Sequence, residues 1–136
     1  MCGLAAILAY AAGAPSVDET ELLAIREAML ARGPDGDGLW VAPDQSVGLA
    51  HRRLAIIDLT NAAAQPMAFE EGRYRITYNG EIYNFKALKE RLKTQGHVFK
   101  TQSDTEVLLH LYHRHGVEMV KELPGMFAFA IWDDAK

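Results

Sequence analysis

Cysteine is almost absent: Cys2 is the only one in 136 residues. No internal disulfide can form, and a CxxC zinc site lacks its ligands, which fits a reducing, cytoplasmic compartment. Long hydrophobic runs are absent too, since no stretch approaches the ~20 apolar residues of a membrane span. The apolar segment from Leu4 to Ala14 is short, is interrupted by Tyr10 and has no positive residue ahead of it, which argues against a secretory leader. An excess of positive charge is lacking as well. Fourteen Lys and Arg stand against 18 Asp and Glu, for a net charge of -4, so there is no basic footprint for nucleic acid. Arg52-Arg53 and the Arg91 to Lys93 stretch are only local positive spots. No repeat, low-complexity tract or linker divides the chain, and 49% hydrophobic against 24% charged residues is ordinary for one soluble domain with a packed core.

Three helices are legible. In "SVDETELLAIREAMLARG", Ser16 and Glu19 have the spacing of a capping box, Leu22, Leu23, Ile25, Met29 and Leu30 supply an apolar face, and Gly33-Pro34 stops the run. "NFKALKERLKTQG" offers Asn84 as cap and Gly96 past its end. Ser103 and Glu106 form a second capping box at the start of "SDTEVLLHLYHRHG", where His113, Arg114 and His115 suit the negative end of the helix dipole. Strands are expected at 2–9, 38–42, 46–59 with a break near Arg53, 73–79, 97–100 and 126–133. Strands grouped together with helices between some of them predict an α+β layered fold rather than a regular βαβ alternation.

Several stretches have two chemical readings. Asn79-Gly80 follows an alternating strand, which is the strongest short-range hairpin signal. The same pair also places an amide side chain and a glycine N–H together, two neutral donors suited to a tetrahedral oxyanion. Asp104 is either a first-turn carboxylate favoured by the helix dipole or a partner for a ligand ammonium group. A buried arginine is costly unless paired, and strand alternation sends Arg52 and Arg53 to opposite faces, so at most one of them meets a given pocket. "RGPDGDG" (32–38) is a Gly/Asp-rich turn without the lysine or spacing of a phosphate loop. His110, His113 and His115 read as a helix end, because only the first two share a face and no third metal ligand is evident.

Taken together, Cys2-Gly3, "RGPDGDG", "AHRRLAIIDL", "AQPM", "YNGEIYNF", "SDTEVLLHLY" and "LPGMFAFAIWD" resemble, in order and spacing, the class II glutamine amidotransferases. Within them the chain is most similar to the amino-terminal glutaminase domain of glutamine-hydrolysing asparagine synthetases, with the likeness covering essentially all of 1–136. The resemblance implies an N-terminal nucleophile hydrolase fold, an αββα sandwich of two antiparallel sheets. It implies removal of Met1, so that Cys2 becomes an amino-terminal nucleophile whose own α-amino group, with a pKa of ~7.7 to 8.0, shuttles the proton. Asn79 and Gly80 would then stabilise the oxyanion, Arg53 would hold the glutamine α-carboxylate, and Asp104 with the Glu81 region would hold the α-amino group.

The resemblance also implies glutamine as substrate and a carboxy-terminal synthetase domain of the same parent chain as partner. ATP and Mg2+ would bind in that domain, which is absent from 1–136, and no metal or cofactor is expected in the glutaminase part. A homodimer is allowed. Two departures stand out. Ala6 replaces a glycine usual in the family, and the family's domain continues with further strands, so a truncated domain is expected, with 126–133 left as an unpaired apolar edge. Such a piece would hydrolyse glutamine for asparagine synthesis elsewhere in its parent without activating aspartate itself. The alternatives are an amidotransferase domain serving another acceptor, a non-hydrolysing relative of the β-lactam synthetase type, and an unrelated small binding module. Cys2, Asn79, Gly80, Arg53 and Asp104 together argue against the non-hydrolysing relative, because a scaffold has no need for all five, and the family-like stretches argue against the binding module.

Overall fold

The computed structural model describes residues 2–136; Met1, and with it the expected removal of that residue, lies outside the described residues. Two antiparallel three-stranded sheets face each other. The first has the order β1 (Gly3–Leu8), β3 (Val47–Arg53), β2 (Gly36–Val41). The second has the order β4 (Met67–Phe69), β5 (Tyr74–Ile82), β6 (Gly125–Asp133). Helix α1 (Glu19–Ala28) covers the outer face of the first sheet, and α2 (Phe85–Thr94) and α3 (Asp104–His115) cover the outer face of the second. The expected α+β, αββα layering is therefore present.

Strand alternation assigns each face. On β3, Gly48 lies under Leu22 and Val17, and Arg52 pairs with Glu27 of α1. The intervening Val47 and Leu49 face the other sheet, packing with Trp40, Ala130 and Trp132. On β5, Tyr74, Ile76, Tyr78 and Ile82 join the main core with Leu88 and Leu92 of α2 and with Val107, Leu108 and Leu111 of α3. Each fully buried leucine there contributes about 1.5–3 kcal/mol. The opposite face of β5 meets the first sheet, where Arg75 stacks over the Trp40 ring at 5.3 Å and Thr77 donates to Ala50 O at 3.0 Å.

Some local expectations shift for identifiable reasons. Asp18, not Ser16, caps α1 by accepting from Thr20 N at 2.8 Å. Val17 is committed to Gln45 O and buried, so the helix cannot start before it. Of the apolar face foreseen for α1, Leu22 is fully buried whereas Leu23, Ile25 and Leu30 are exposed, because α1 packs on one sheet only. Residues 97–100 are not a strand; Glu106 takes the N–H groups of Lys100 and Thr101 that a strand partner would need. Asn84 caps nothing with its side chain and donates instead to Glu122 O. The short β4, within the stretch after Pro66, carried no alternation that could announce it.

Asn79-Gly80 is not a hairpin. It lies inside β5, opposite Ala128 and Phe127, where a Cβ on Gly80 would meet Met126 O at 2.4 Å and Phe127 Cα at 2.5 Å. Glycine is required there by close approach of β6, not by a turn. Among the described residues β6 pairs with β5 alone, and Met126 is 69% exposed. Ala6 is exposed, so its methyl group displaces nothing. No described helix is long and apolar enough to cross a membrane.

Candidate active site

Cys2, Arg53, Asn79, Gly80, Glu81 and Asp104 line one cleft of about 250 Å³ at the end of the interface between the sheets. The strand registers explain the convergence. Gly3 opposes Arg52, so Cys2 sits at the tip of β1 beside the end of β3, and alternation turns both Cys2 and Arg53 toward the second sheet. Asn79 projects from the face of β5 that looks back at them, the same face as Thr77.

The Cys2 sulfur is framed by the backbone of one residue, Leu54. Leu54 N–H donates to Sγ at 3.3 Å, and the thiol lies 3.6 Å from Leu54 O. Arg32 Nε donates to the Cys2 carbonyl at 3.1 Å, fixing the residue's backbone from the other side. Arg53 donates to Thr60 O at 2.9 Å and to Asp58 O, two neutral carbonyls of the loop that follows β3. A ligand carboxylate would be a stronger, charge-assisted partner for the same guanidinium. Arg52 lies on the opposite face against Glu27 and Asp37, as alternation requires.

Asp58 holds that loop in place. Its carboxylate accepts from Gln102 N at 2.8 Å and from the Thr60 N–H and hydroxyl, donors that keep it below the usual carboxylate range. Glycine 80 supplies a free donor. Tyr78 N–H points to the β4 side of β5, where Gln65 Oε1 accepts it at 2.6 Å. N–H groups two residues apart point the same way, so Gly80 N–H emerges on that side beyond the end of β4, toward the cleft.

Asp104 is buried in the first turn of α3, and Tyr78 donates its hydroxyl to Oδ2 at 2.7 Å. Burial pushes its pKa above the usual carboxylate range, against the Tyr78 hydrogen bond, and the nearby Glu81 charge adds to the rise. A cationic ligand group would relieve that cost. With Arg53 as cation and Asp58, Glu81 and Asp104 as carboxylates, the cleft carries both signs of charge that a zwitterionic amino acid presents.

Five participants were not foreseen from the sequence, Asp58 among them. The Leu54 N–H has no side-chain signature. Arg32 lies in the "RGPDGDG" stretch, read only as a turn, while Gln65 in "AQPM" and Tyr78 in "YNGEIYNF" had no role assigned. That 32–38 stretch does not fit a nucleotide: Asp35 N–H bonds Arg53 O and residues from Gly36 on pair in β2. The histidines of α3 are engaged locally. His110 Nδ1 lies 2.9 Å from His97 Nδ1, between the Phe69 and Phe99 rings, and His113 meets Tyr74 OH at 3.3 Å. Among the described residues, no group of three or more His, Cys, Asp or Glu is placed to hold a metal ion. Of the two basic spots, Arg91 pairs with Glu122, Lys93 with Glu90 and Arg52 with Glu27 and Asp37, which leaves Arg53 on its neutral carbonyls.

A family model described as a glutamine amidotransferase domain matches residues 1–136. Asparagine synthetase (glutamine-hydrolyzing) 1 of Bacillus subtilis strain 168 is 43% identical over 134 residues, covering 98% of this chain and 21% of its own. Asparagine synthetase (glutamine-hydrolyzing) 3 of Arabidopsis thaliana is 44% identical over 133 residues, covering 98% and 22%. The chain thus spans about a fifth of the length of the curated relatives it matches. Among solved structures, the glutamine phosphoribosylpyrophosphate amidotransferase of B. subtilis, complexed with ADP and GMP, superposes with a TM-score of 0.56 at 30% identity. It covers 65% of this chain and 21% of that one.

Proposed function

The chain belongs to the glutamine amidotransferase domain family, and from that premise we propose that it hydrolyses free glutamine to glutamate and ammonia with Cys2 as nucleophile. The observation that carries the reading is the convergence of Cys2, Asn79, Gly80 and charges of both signs on one cleft. With Met1 removed, the Cys2 α-amino group takes the thiol proton, and the thiolate attacks the side-chain amide carbon of glutamine. The carbonyl oxygen becomes an oxyanion, accepting from the Asn79 side chain and the Gly80 N–H. Collapse of the tetrahedral intermediate expels ammonia, which leaves with the proton held by the α-amino group, and a γ-glutamyl thioester remains. Water then adds to the thioester through the same oxyanion site, releasing glutamate and restoring the thiol. Arg53 binds the α-carboxylate, and Asp104 with Glu81 binds the α-ammonium, which fixes the amide carbon against the sulfur.

The names of the relatives support a parent enzyme in which this ammonia amidates aspartate, with a synthetase region of the same chain as partner. ATP and Mg2+ would belong to that region, and no step above runs through them. A cytoplasmic setting fits the lone, unpaired thiol. Serving another acceptor is the second reading for the parent. The decisive assay for this chain is glutamate release: the protein should convert glutamine to glutamate, and Cys2→Ala should abolish the reaction without unfolding the chain. Hydrolysis that survives Cys2→Ala would overturn the proposal.

A further inference from the structure

Beneath the cleft, β5 and the start of α3 are cross-linked twice through buried polar groups. Tyr78 is anchored at both ends, its N–H on Gln65 Oε1 at 2.6 Å and its hydroxyl on Asp104 Oδ2 at 2.7 Å. Gln65 Nε2 closes the ring on Thr105 Oγ1 at 3.2 Å. Tyr78, Asp104 and Thr105 are each less than 5% exposed, so water does not compete for these bonds. Packing alone asks only for an aromatic ring at position 78, which phenylalanine would supply. The hydroxyl is the one side-chain donor to Asp104 among the described residues.

We propose that Tyr78 is a positioning residue for amino-acid recognition: its hydroxyl holds the Asp104 carboxylate aimed into the cleft, ready for the α-ammonium of the substrate. This rests on the glutaminase reading above and adds to it a residue that never touches the substrate. The carboxylate needs such help. Burial and the Glu81 charge both favour its protonated form, while the Tyr78 hydroxyl and the backbone N–H groups of Asp104 and Thr105 oppose them. Around it, Glu81 faces the cleft from β5, Arg53 from β3, Asp58 from the following loop and Cys2 from β1. Tyr78 itself stays protonated as a permanent donor, because burial first, and the Asp104 carboxylate next, push its own ionisation far upward. Gln65 has the complementary effect, since it ties the strand segment before Asn79 to the residue after Asp104.

The test compares glutamine with 4-carbamoylbutanoate, which is glutamine without its α-amino group. Tyr78→Phe should raise KM for glutamine about tenfold, as loss of a hydrogen bond to a charged group does, with kcat within about twofold. Binding of 4-carbamoylbutanoate should not change. The acid limb of kcat/KM for glutamine should move to higher pH, because the carboxylate loses the donor that favours its charge. Equal weakening of both ligands, or an unchanged KM and acid limb, would overturn the proposal. Should Tyr78→Phe leave Asp104 too costly to bury and fail to fold, Asp104→Asn alone and with Tyr78→Phe removes that charge. The second substitution should then add nothing, and additive losses would refute action through Asp104. If the unmodified protein releases no glutamate from glutamine, the glutaminase reading fails; if it does and Tyr78→Phe is indifferent, only the role of Tyr78 fails.

Discussion

His51 makes the folded protein sensitive to mild acid. It is fully buried between the sheets, with Nδ1 3.2 Å from Thr77 Oγ1. The Thr77 hydroxyl donates to Ala50 O, so its oxygen must accept, which puts the imidazole proton on Nδ1 and leaves Nε2 buried without a partner. A second proton would create an N–H cation with no acceptor and with Arg53 near it. Burial, and then the Arg53 charge, push the His51 pKa from 6.5 down to about 4. The unfolded chain takes up this proton as pH falls through about 6.5, whereas the folded chain resists until about 4. The contribution is therefore fully present above the unfolded value and is lost as pH falls from 6.5 to about 4. That gap corresponds to about 3 kcal/mol in all, of which about 2.5 kcal/mol is gone by about pH 4.5. Urea unfolding of the protein and of His51→Asn, which keeps a donor for Thr77 but cannot titrate, reads the effect. The variant starts less stable because of its smaller side chain, but its disadvantage should shrink by about 2.5 kcal/mol between about pH 7.5 and about pH 4.5. Taking the difference cancels the other groups that titrate in this range. An unchanged difference across the range would refute the reasoning.

Two further outcomes follow from the geometry. Arg53→Ala should raise KM for glutamine about tenfold or more through loss of a charge-assisted bond, whereas Arg52→Ala should lower the melting temperature and leave KM within about twofold; the reverse pattern in steady-state kinetics would reverse their faces. Glu106 accepts from Lys100 N, Thr101 N and the Thr101 hydroxyl at 2.7–2.8 Å. Burial opposes its charge, but the neighbouring His110 ring and these donors bring its pKa from 4.5 down to about 2. Glu106→Gln should cost about 2–3 kcal/mol at neutral pH and remove the loss of stability that the parent shows as pH falls from about 4.5 to about 2. A melting curve with the same acid response in both proteins would contradict it.

What the sequence revealed depended on how local the cause was. Ser103, accepting from Thr105 N at 3.1 Å, and Gly116 at the end of α3 are settled within one turn of chain and were legible; the reciprocal half of the expected capping box is not formed, because Ser103 N–H goes to Thr101 Oγ1 while Glu106 accepts from Lys100 and Thr101. The opposite faces of Arg52 and Arg53 followed from the strand period of two. Asn79-Gly80 misled as a hairpin signal because its glycine answers to β6, 47 positions away in the register with Phe127, and nothing local records that approach. Residues 97–100 have strand-like composition, but His97 N–H goes to Leu92 O at the end of α2 and Lys100 N–H to the Glu106 carboxylate of α3. At the site, the residues with family-like motifs were found, whereas Gln65 and Tyr78 act through buried bonds to partners distant in sequence. The Leu54 N–H at the sulfur is a backbone group, available from any residue type.

The central claim is that Cys2 attacks the side-chain amide of glutamine. Mass spectrometry after exposure to a glutamine-mimicking diazoketone tests it most directly. The account predicts a chain that begins at Cys2, carrying one adduct on the Cys2 sulfur, with labelling suppressed by excess glutamine. An intact Met1 on active protein, or a folded protein whose Cys2 stays unlabelled, would contradict it.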